Sequence, residues 1–320
     1  MQDVLAYAAD IYRFPMNTLS FITESTNKVY EFERKNKRYI LRIAQKPHEC
    51  IANTKAEIDW LYYLAENGIN VSLPLFTHSS ELVASMVDDN GYNYILSAYE
   101  KANGVFWDKN DPMRWNTDIF HSWGSVMGDI HRLTKDYVPS DAECTRSTFR
   151  GNDTLANSYS SNLDVKAVAD EVIQQIMRLP RDRESFGLIH YDFHPWNFYI
   201  DGRDIRVFDF DDCLYGWFAM DIGIALYHGL WWGRPPRPDA AQEFSKEFIK
   251  SFLKGYTEHN HLDSFWHTKI RLFMRYRQIC KFSWFYRPQD INTEQMQRIK
   301  NIKNDVLFDD CDADPSYFVV

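Results

Sequence analysis

Polar side chains that could carry out chemistry are concentrated between residues 190 and 212. The first stretch reads HYDFHPWN (190–197) and the second reads DFDD (209–212). Most residues around them are aromatic or β-branched, as in buried strands, where a charged group costs solvation free energy unless a partner or an ion compensates it. We therefore expect either a network that satisfies these groups or a site that holds an ion and catalyses a reaction.

The types and spacing of these groups suit phosphoryl transfer from ATP. The transferred group carries negative charge spread over its oxygens, and hard cations held by protein oxygen atoms neutralise it. Asn197 offers a carboxamide oxygen and Asp209 a carboxylate for such a cation, whereas Asp192 could orient a hydroxyl acceptor and take its proton. Alternation along a strand would place Asp209 and Asp211 on one face.

Other chemistries use some of the same residue types. His190, Asp192 and His194 could bind zinc, but neighbouring ligands seldom complete a tetrahedral site. Asp192 and Asp209 could form a glycosidase pair, which only their acidity supports. The sequence has no G-x-S-x-G elbow, which disfavours a serine hydrolase. A purely structural network of polar turns remains the alternative without chemistry.

HYDFHPWN followed by VFDFDD resembles the catalytic-loop and metal-loop pair of the aminoglycoside phosphotransferase family, whose pattern is H-G-D-x-H-x-x-N and then I-D-[FW]-x-[DE]. This family is related to choline kinases and type II homoserine kinases and has the two-lobed protein-kinase-like fold. The resemblance implies that Asp192 is the catalytic base and that Asn197 and Asp209 bind Mg²⁺, with ATP as the phosphate donor. We expect supporting roles in the loop for His190, His194 and Asp221.

The nucleotide-binding part of the resemblance departs from the family pattern. The strand RYILRIA carries Arg42 where the family has a lysine on the ATP phosphates, and Glu57 is the expected partner. An arginine can hold phosphate oxygens bidentately, although an ordinary surface ion pair is the alternative. The other implied contacts are Ser25, Thr26 and Asn27 in a glycine-free phosphate loop, and the backbone near Glu100 and Ala102 against adenine.

Two kinds of element must position these residues. Up to about residue 100, the β-rich segments LSFITES, KVYEFE, RYILRIA, LVASMV and YNYILSAY predict a sheet, and TKAEIDWLYYLAEN predicts one helix. RKNK and Asn90-Gly91 are turn signals. Helices are predicted at about 117–136 and 164–179 and over most of 220–307, with short strands at 187–190, 198–200 and 205–210.

This order of elements predicts an α+β fold with two lobes. Residues 1–101 would form a small β-rich nucleotide-binding lobe, and residues 102–320 a larger, mainly helical lobe with the catalytic loop and the substrate pocket. The aromatic stretch 269–287 reads as a buried helix whose basic side chains extend to solvent. Trp196, Trp231 and Trp232 could wall an acceptor pocket or cage a cation, or they could pack in the core.

Composition excludes several classes of partner. The formal net charge of −9 argues against a nucleic-acid or anionic-membrane surface. The five cysteines are scattered and form no C-x-x-C, which disfavours a disulfide framework or a thiolate zinc site. The N-terminal stretch MQDVLAYAADIYRF does not read as a signal peptide, and the most apolar window, 217–232, is short for a membrane span. We expect a cytoplasmic protein.

Two functional hypotheses remain from the sequence. The first is a kinase that transfers the γ-phosphate of MgATP to a hydroxyl of a small molecule, such as an aminoglycoside, an amino sugar, a choline-like amino alcohol or homoserine. The second is a nucleotide-binding scaffold of the same fold that no longer transfers phosphate. The glycine-free loop and Arg42 motivate the scaffold, whereas the complete set of Asp192, Asn197 and Asp209 favours the kinase.

Overall fold

The computed structural model describes residues 1–47, 50–141, 145–151, 162–286, 293–308 and 313–318. The chain forms two compact units. The first unit comprises Met1–Gly104, Tyr137–Arg146 and Arg206–Asp211, and the second comprises Val105–Asp136, Ser147–Ile205 and Asp212–Val320. The predicted functional boundary between residues 101 and 102 stays a prediction.

The first unit contains an antiparallel five-stranded sheet and two helices. The strands are β1 (Ser20–Glu24), β2 (Lys28–Arg34), β3 (Lys37–Gln45), β4 (Ala84–Val87) and β5 (Asn93–Glu100), and the helices are α1 (Gln2–Tyr12) and α2 (Ile51–Glu66). The order across the sheet is β1-β2-β3-β5-β4. One face is closed by α1, where Tyr12 packs among buried residues such as Phe32 and Leu96.

The turns of this sheet form where the sequence predicts them. Lys35 and Asn36 both have positive φ (52° and 61°), as the tight turn between β2 and β3 requires. Gly91, with φ 81°, lies in the turn that joins β4 to β5. The register between β3 and β5 opposes Arg42 to Ser97 and Tyr39 to Glu100.

The second unit is mainly helical. Its helices are α3 (Thr117–Thr134), α4 (Leu163–Met177), α5 (Phe218–Gly233), α6 (Pro238–His259), α7 (Ser264–Phe285) and α8 (Thr293–Phe308). Strands β6 (Phe186–Ile189) and β9 (Leu214–Trp217) pair antiparallel, and β7 (Phe198–Asp201) and β8 (Asp204–Val207) form a hairpin. These findings confirm the predicted α+β class.

Close packing of α3 against α6 depends on glycine. A Cβ atom on Gly124 would lie 1.9 Å from the Phe252 carbonyl oxygen, and one on Gly255 would lie 2.0 Å from the His121 carbonyl oxygen. Neither distance is sterically possible, so only glycine allows the two backbones to approach this closely. The contact holds α3 in place, and α3 carries a histidine that supports the catalytic loop.

The strand predicted at 205–210 is shorter than expected. It ends at Val207, and Asp209 adopts a left-handed conformation with φ 64°. The predicted alternation of Asp209 and Asp211 along a strand is therefore wrong, because the chain has already turned away from extended geometry at Asp209. The two carboxylates meet different surroundings as a result.

None of the helices within the described ranges is both long and apolar enough to span a bilayer. Of the five cysteines, Cys50, Cys213 and Cys280 lie in these ranges and form no disulfide with one another. Cys144 and Cys311 lie outside the described residues.

Candidate active site

The predicted site residues fall into two groups, one in each unit. In the first unit, β3 and α2 bring Arg42 and Glu57 together as expected. Arg42 Nη1 donates to Glu57 Oε1 at 2.9 Å and Nη2 donates to Oε2 at 2.5 Å. Both residues are buried, so the alternative of a surface ion pair is wrong. Tyr99 Oη accepts from Arg42 Nη2 at 2.7 Å and completes a closed network.

Asp209 lies beside this network. Its Oδ1 is 3.9 Å from Arg42 Nη1, and 54% of its side chain is exposed. The left-handed backbone at Asp209 is uncommon for a residue with a Cβ atom, and such geometry is concentrated at functional sites. Asp209 therefore presents a carboxylate at the surface of the first unit next to a buried cation.

Asp211 has a different environment, which the sequence did not indicate. It accepts from Asn27 Nδ2 at 2.9 Å and from Lys46 Nζ at 3.2 Å. Burial alone raises the pKa of Asp211, but Arg42 and Lys46 outweigh that effect and hold the pKa well below its usual range. Asp211 is thus an ionised anchor between the turn after β1 and the end of β3.

The side chain of Asn27 therefore stabilises the fold through its contact with Asp211. It is buried, and its amide binds Asp211, whereas Ser25 and Thr26 are exposed. The Ser25 N–H donates to the Asn27 carbonyl oxygen at 3.1 Å, which closes the turn between β1 and β2 without glycine. Ser25 and Thr26 present their side chains to solvent, whereas that of Asn27 is buried.

Glu100 and Ala102 line a cavity of about 570 Å³ within the first unit. Its other lining residues are 36–39, 101, 103, 104 and Arg206. The Glu100 N–H donates to the Leu73 carbonyl oxygen at 2.8 Å, so this donor is already engaged. Among the predicted adenine contacts, Ala102 is buried and Glu100 is partly exposed.

In the second unit, a buried aspartate braces the loop formed by residues 190–197. Asp221, at the start of α5, accepts from the His190 N–H at 2.9 Å and from the Tyr191 N–H at 2.8 Å. Tyr191 has φ 67°, a conformation that the two hydrogen bonds help to hold. His190 Nδ1 accepts from the Asp192 N–H at 3.3 Å, and its ring stacks on Phe193. Both contacts orient the loop backbone.

His131, which lies on α3, supports this aspartate. Its Nε2 lies 3.2 Å from Asp221 Oδ2, and its Nδ1 lies 3.0 Å from Tyr256 Oη. Burial lowers the pKa of His131, although Asp221 opposes the shift, so the ring stays neutral and donates to the carboxylate. Asn260 donates to Tyr256 Oη at 2.7 Å and ends the chain of hydrogen bonds.

Asp192 is held on both of its carboxylate oxygens. Oδ2 accepts from Asn197 Nδ2 at 3.2 Å and lies 3.3 Å from His194 Nε2. Asn197 Nδ2 also donates to the Asp192 carbonyl oxygen at 2.9 Å, and His194 Nδ1 accepts from the Trp196 N–H at 3.2 Å. Arg277 Nη2 donates to Oδ1.

These contacts keep Asp192 ionised. Burial alone raises the pKa of Asp192, but His194 and Arg277 overcome it and hold the pKa far below its ordinary value. Asn197 spends its N–H₂ group on Asp192, so its carboxamide oxygen is the atom that remains for another ligand. Asp192, Asn197 and His194 therefore form one hydrogen-bonded cluster, as their spacing suggested.

Arg277 is the functional-site residue that the sequence did not reveal. It lies on α7, where basic side chains were expected to extend to solvent. That expectation is wrong for Arg277, whose guanidinium turns inward to Asp192, and for Lys281, which is 7% exposed. Arg277 Nε also donates to His228 Nε2 at 2.8 Å, and no local pattern predicts this contact between helices.

Aromatic rings surround the loop. Trp196 is 44% exposed and lies 5.3 Å from Trp107 and 6.4 Å from Trp232 between ring centroids. Trp232 also contacts His194 at 5.2 Å and stacks on His228 at 4.6 Å. A half-exposed aromatic surface therefore begins beside Asp192.

Comparison with known proteins places the chain among relatives. The model of a phosphotransferase enzyme family, abbreviated APH, matches residues 18–259. The chain belongs to this family. An amicoumacin kinase of Bacillus subtilis (strain 168) is 34% identical to this APH-family chain over 311 residues, covering 95% of this chain and 91% of that kinase. The predicted family is confirmed.

Solved structures agree in fold. An amicoumacin kinase in complex with AMP-PNP, Ca²⁺ and Ami is 30% identical, with a TM-score of 0.88 over 97% of this chain and 93% of that one. A microcompartment-associated aminopropanol kinase is 19% identical, with a TM-score of 0.75 over 96% and 95% of the two chains. The protein-kinase-like fold is confirmed, and this APH-family chain is a phosphotransferase with a hydroxyl group as acceptor.

Within the described parts of the chain, no three His, Cys, Asp or Glu side chains come together as a metal site. A zinc site built from His190, Asp192 and His194 therefore has no geometric support there. A cation that shares its coordination sphere with nucleotide phosphates does not need such a cluster, because Mg²⁺ binds through one or two carboxylates plus phosphate oxygens.

Proposed function

We propose that this APH-family kinase transfers the γ-phosphate of MgATP to a hydroxyl of a small molecule. The observation that carries the proposal is the state of Asp192, which is ionised and tethered by Asn197 and His194 in a loop that Asp221 braces. The 34% identity to an amicoumacin kinase over 95% of the chain supports the same reaction class.

Asp192 acts by alignment. The transition state of phosphoryl transfer is loose in most analyses, so positioning and charge contribute more than strong base catalysis. An ionised Asp192 accepts a hydrogen bond from the acceptor hydroxyl and orients its oxygen, and the proton passes to Asp192 as the phosphoryl group is transferred. His190, His194 and Asp221 serve this step by holding the loop.

Asp209 and the carboxamide oxygen of Asn197 are the proposed ligands of the cation. Both are hard oxygen donors of the kind that Mg²⁺ and Ca²⁺ prefer, and more than half of the Asp209 side chain is exposed. The bound cation neutralises negative charge on the phosphates. The complex of the related kinase with AMP-PNP and Ca²⁺ supports nucleotide and divalent-cation use, and Mg²⁺ is our proposal.

The remaining predicted residues are proposed nucleotide contacts. Arg42, fixed by Glu57, provides positive charge for phosphate oxygens, and Lys46 is a second cation near the same turn. Ser25 and Thr26 offer hydroxyl groups, and Asn27 holds the turn through Asp211. The backbone near Glu100 and Ala102 is proposed to meet adenine.

The first acceptor to test is amicoumacin, because a kinase named for it is the curated relative. Amino alcohols, aminoglycosides, choline and homoserine complete the panel, and ADP release with MgATP is the readout. Turnover on one of these compounds, abolished by Asp192→Asn, supports the proposal. Binding of ATP and Mg²⁺ in a thermal-shift titration, with no turnover on any acceptor, would favour the non-catalytic scaffold.

We also propose a cytoplasmic location. The three described cysteines form no disulfide with one another, as expected in a reducing compartment. The absence of nucleic-acid and membrane partners remains a prediction from the net charge of −9.

A further inference from the structure

Arg277 on α7 is a cation that the proposed mechanism does not use. Its Nη2 donates to Asp192 Oδ1, and its Nε donates to His228 Nε2 at 2.8 Å. The guanidinium is planar and its N–H groups point in fixed directions, so two such contacts fix both its position and its plane. Only 18% of its side chain is exposed. Arg277 is therefore held from two sides, and one of them is the carboxylate that aligns the acceptor.

The histidine that accepts from Arg277 is itself fixed. His228 on α5 is 6% exposed and stacks on the Trp232 ring, with 4.6 Å between the ring centroids. Its Nε2 accepts a hydrogen bond from a cation, which requires a neutral ring. Burial and Arg277 lower the pKa of His228 well below its usual value and so maintain the neutral form. Through His228, α5 anchors the guanidinium that contacts Asp192.

A second hydrogen bond ties α7 to the same loop. Tyr276 Oη and Tyr191 Oη lie 2.8 Å apart, and both side chains are buried. Tyr276 is the residue before Arg277, so two consecutive residues of α7 contact two consecutive residues of the loop. These two contacts hold the loop to α7 at the residue that bears the carboxylate.

The donors around Asp192 are divided unequally between its two carboxylate oxygens. Among the described residues, Oδ2 faces Asn197 Nδ2 at 3.2 Å and His194 Nε2 at 3.3 Å, whereas Oδ1 faces Arg277 Nη2 alone. His194 Nδ1 already accepts from the Trp196 N–H, which leaves the ring hydrogen on Nε2. A carboxylate offers about four lone-pair sites, two on each oxygen. Both sites on Oδ2 are therefore engaged, and one on Oδ1 is left for a further donor.

We propose that Arg277 is a positioning residue of the phosphoryl transfer, and that it fixes Asp192 so that Oδ1 accepts the hydrogen bond of the acceptor hydroxyl. This inference rests on the proposed function and adds to it the oxygen that aligns the acceptor. In the transfer, the hydroxyl oxygen forms the new bond to the γ-phosphorus. The bond from the γ-phosphorus to the β–γ bridging oxygen breaks, its electron pair leaves with ADP, and the hydroxyl proton passes to Oδ1.

A double-mutant cycle in kcat separates positioning from a role in the fold. Arg277→Met removes both contacts and should lower kcat by about 10–10²-fold, because misplacement of a reacting group by about 1 Å has an effect of this size. The KM of the acceptor that turns over in the panel should change by less than about three-fold. Since Arg277 acts through the Asp192 carboxylate, the same substitution made in Asp192→Asn should lower kcat by less than about three-fold. Equal losses in the two backgrounds, or an unchanged or higher kcat for Arg277→Met, would overturn the proposal.

Two further variants on α7 complete the kinetic test. Arg277→Lys keeps the charge but replaces the planar fork by one ammonium, so it should recover only part of the lost kcat. Full recovery would mean that charge rather than position is what Arg277 supplies, and would contradict the proposal. Lys269→Met is the matched control on the same helix, where the lysine lies over Phe265, and its kcat should stay within about two-fold of wild type. Binding of AMP-PNP, measured by calorimetry, should be unchanged in every variant.

NMR of protein labelled with ¹⁵N-arginine tests the contacts without turnover. Rotation about the Cζ–Nη bonds averages the Nη–H signals of a free guanidinium, whereas a guanidinium held by Asp192 and His228 should give separate signals. These signals are assigned by their loss in Arg277→Lys, and they should merge in Asp192→Asn. Averaged signals in wild type, or separate signals that persist in Asp192→Asn, would rule the proposal out. Because no acceptor is needed, failure of the acceptor panel and failure of this inference are distinct results.

Discussion

Two buried polar clusters, one in each unit, differ in how completely their members are satisfied. In the first unit, Arg42, Glu57 and Tyr99 donate to and accept from one another in a closed network. In the second cluster, on α5 and α7 of the second unit, Lys281 Nζ and His228 Nδ1 have no acceptor among the described residues. When every polar group of a buried network has a hydrogen-bond partner, the network needs no ligand to be stable. A buried donor without an acceptor can still form a hydrogen bond, but it lowers the stability of the fold.

Buried basic side chains have different surroundings in the two clusters. A buried arginine paired bidentately with a carboxylate holds β3 to α2 and keeps a positive charge in one place. A buried amine whose nitrogen has no hydrogen-bond acceptor among the described residues costs folding free energy. We therefore expect loss of Glu57 from the first cluster to act chiefly on stability, and loss of the Asp192 carboxylate beside the second cluster to act on turnover.

The largest effect is expected for Asp192→Asn, at the carboxylate that Arg277 holds. The amide keeps the shape of the side chain but loses its charge and its ability to accept a proton, so kcat should fall by about 10²–10⁴. Binding of AMP-PNP, measured by calorimetry, should be unchanged. Turnover close to that of wild type would remove Asp192 from the mechanism.

A stability loss is expected when the closed network is opened. Glu57→Ala leaves Arg42 buried without its carboxylate and should lower the free energy of unfolding by about 3–5 kcal/mol. Urea denaturation measures the change. Glu66→Ala, at the exposed end of the same helix, is the matched control and should stay within about 0.5 kcal/mol of wild type. A small loss for Glu57→Ala would contradict the view that this network is a structural support.

The Arg42–Glu57 pair and the sequence motif at 190–197 were predictable from sequence because their signals are local or belong to known motifs, whereas the contact of Tyr99 with that pair was not. Arg42 lies on a strand and Glu57 on the next helix, and the spacing from His190 to Asn197 follows a pattern of residue types. The turn at Asp209 was not predictable, since VFDFDD reads equally well as a continued strand until a left-handed residue ends it.

The contacts of Arg277 could not be predicted, because they join segments that are distant in sequence. Arg277 lies 85 residues from Asp192 and 49 from His228. A helix pattern shows which residues share a face, but it does not show whether a basic side chain on that face turns to solvent or to a buried carboxylate. Three-dimensional packing decided this, and it did so against the usual preference of lysine and arginine.

Replacement of the buried amine of Lys281 is expected to increase stability. Lys281→Met replaces a buried amine without an acceptor by an apolar side chain of similar length, which removes an unsatisfied donor. The free energy of unfolding should rise by about 1–2 kcal/mol, while Lys269→Met should change it by less than about 0.5 kcal/mol. If Lys281→Met destabilises the protein instead, the amine has a partner that matters to the fold.

The smallest effect, which is specific to Lys281, is a change in how stability depends on pH. The pKa of Lys281 is lowered to about 5 in the folded protein, whereas an unfolded lysine titrates near its ordinary value of 10.5. Between these values the unfolded chain binds more protons than the folded one at this position, so raising the pH stabilises the folded state.

Wild type should therefore gain stability relative to Lys281→Met as the pH rises from 5 to 8, by at most about 1.4 kcal/mol per pH unit for one group. Urea unfolding of both proteins at several pH values measures the difference, and the titrations common to both proteins cancel. Parallel curves would mean that the amine is charged in the folded protein.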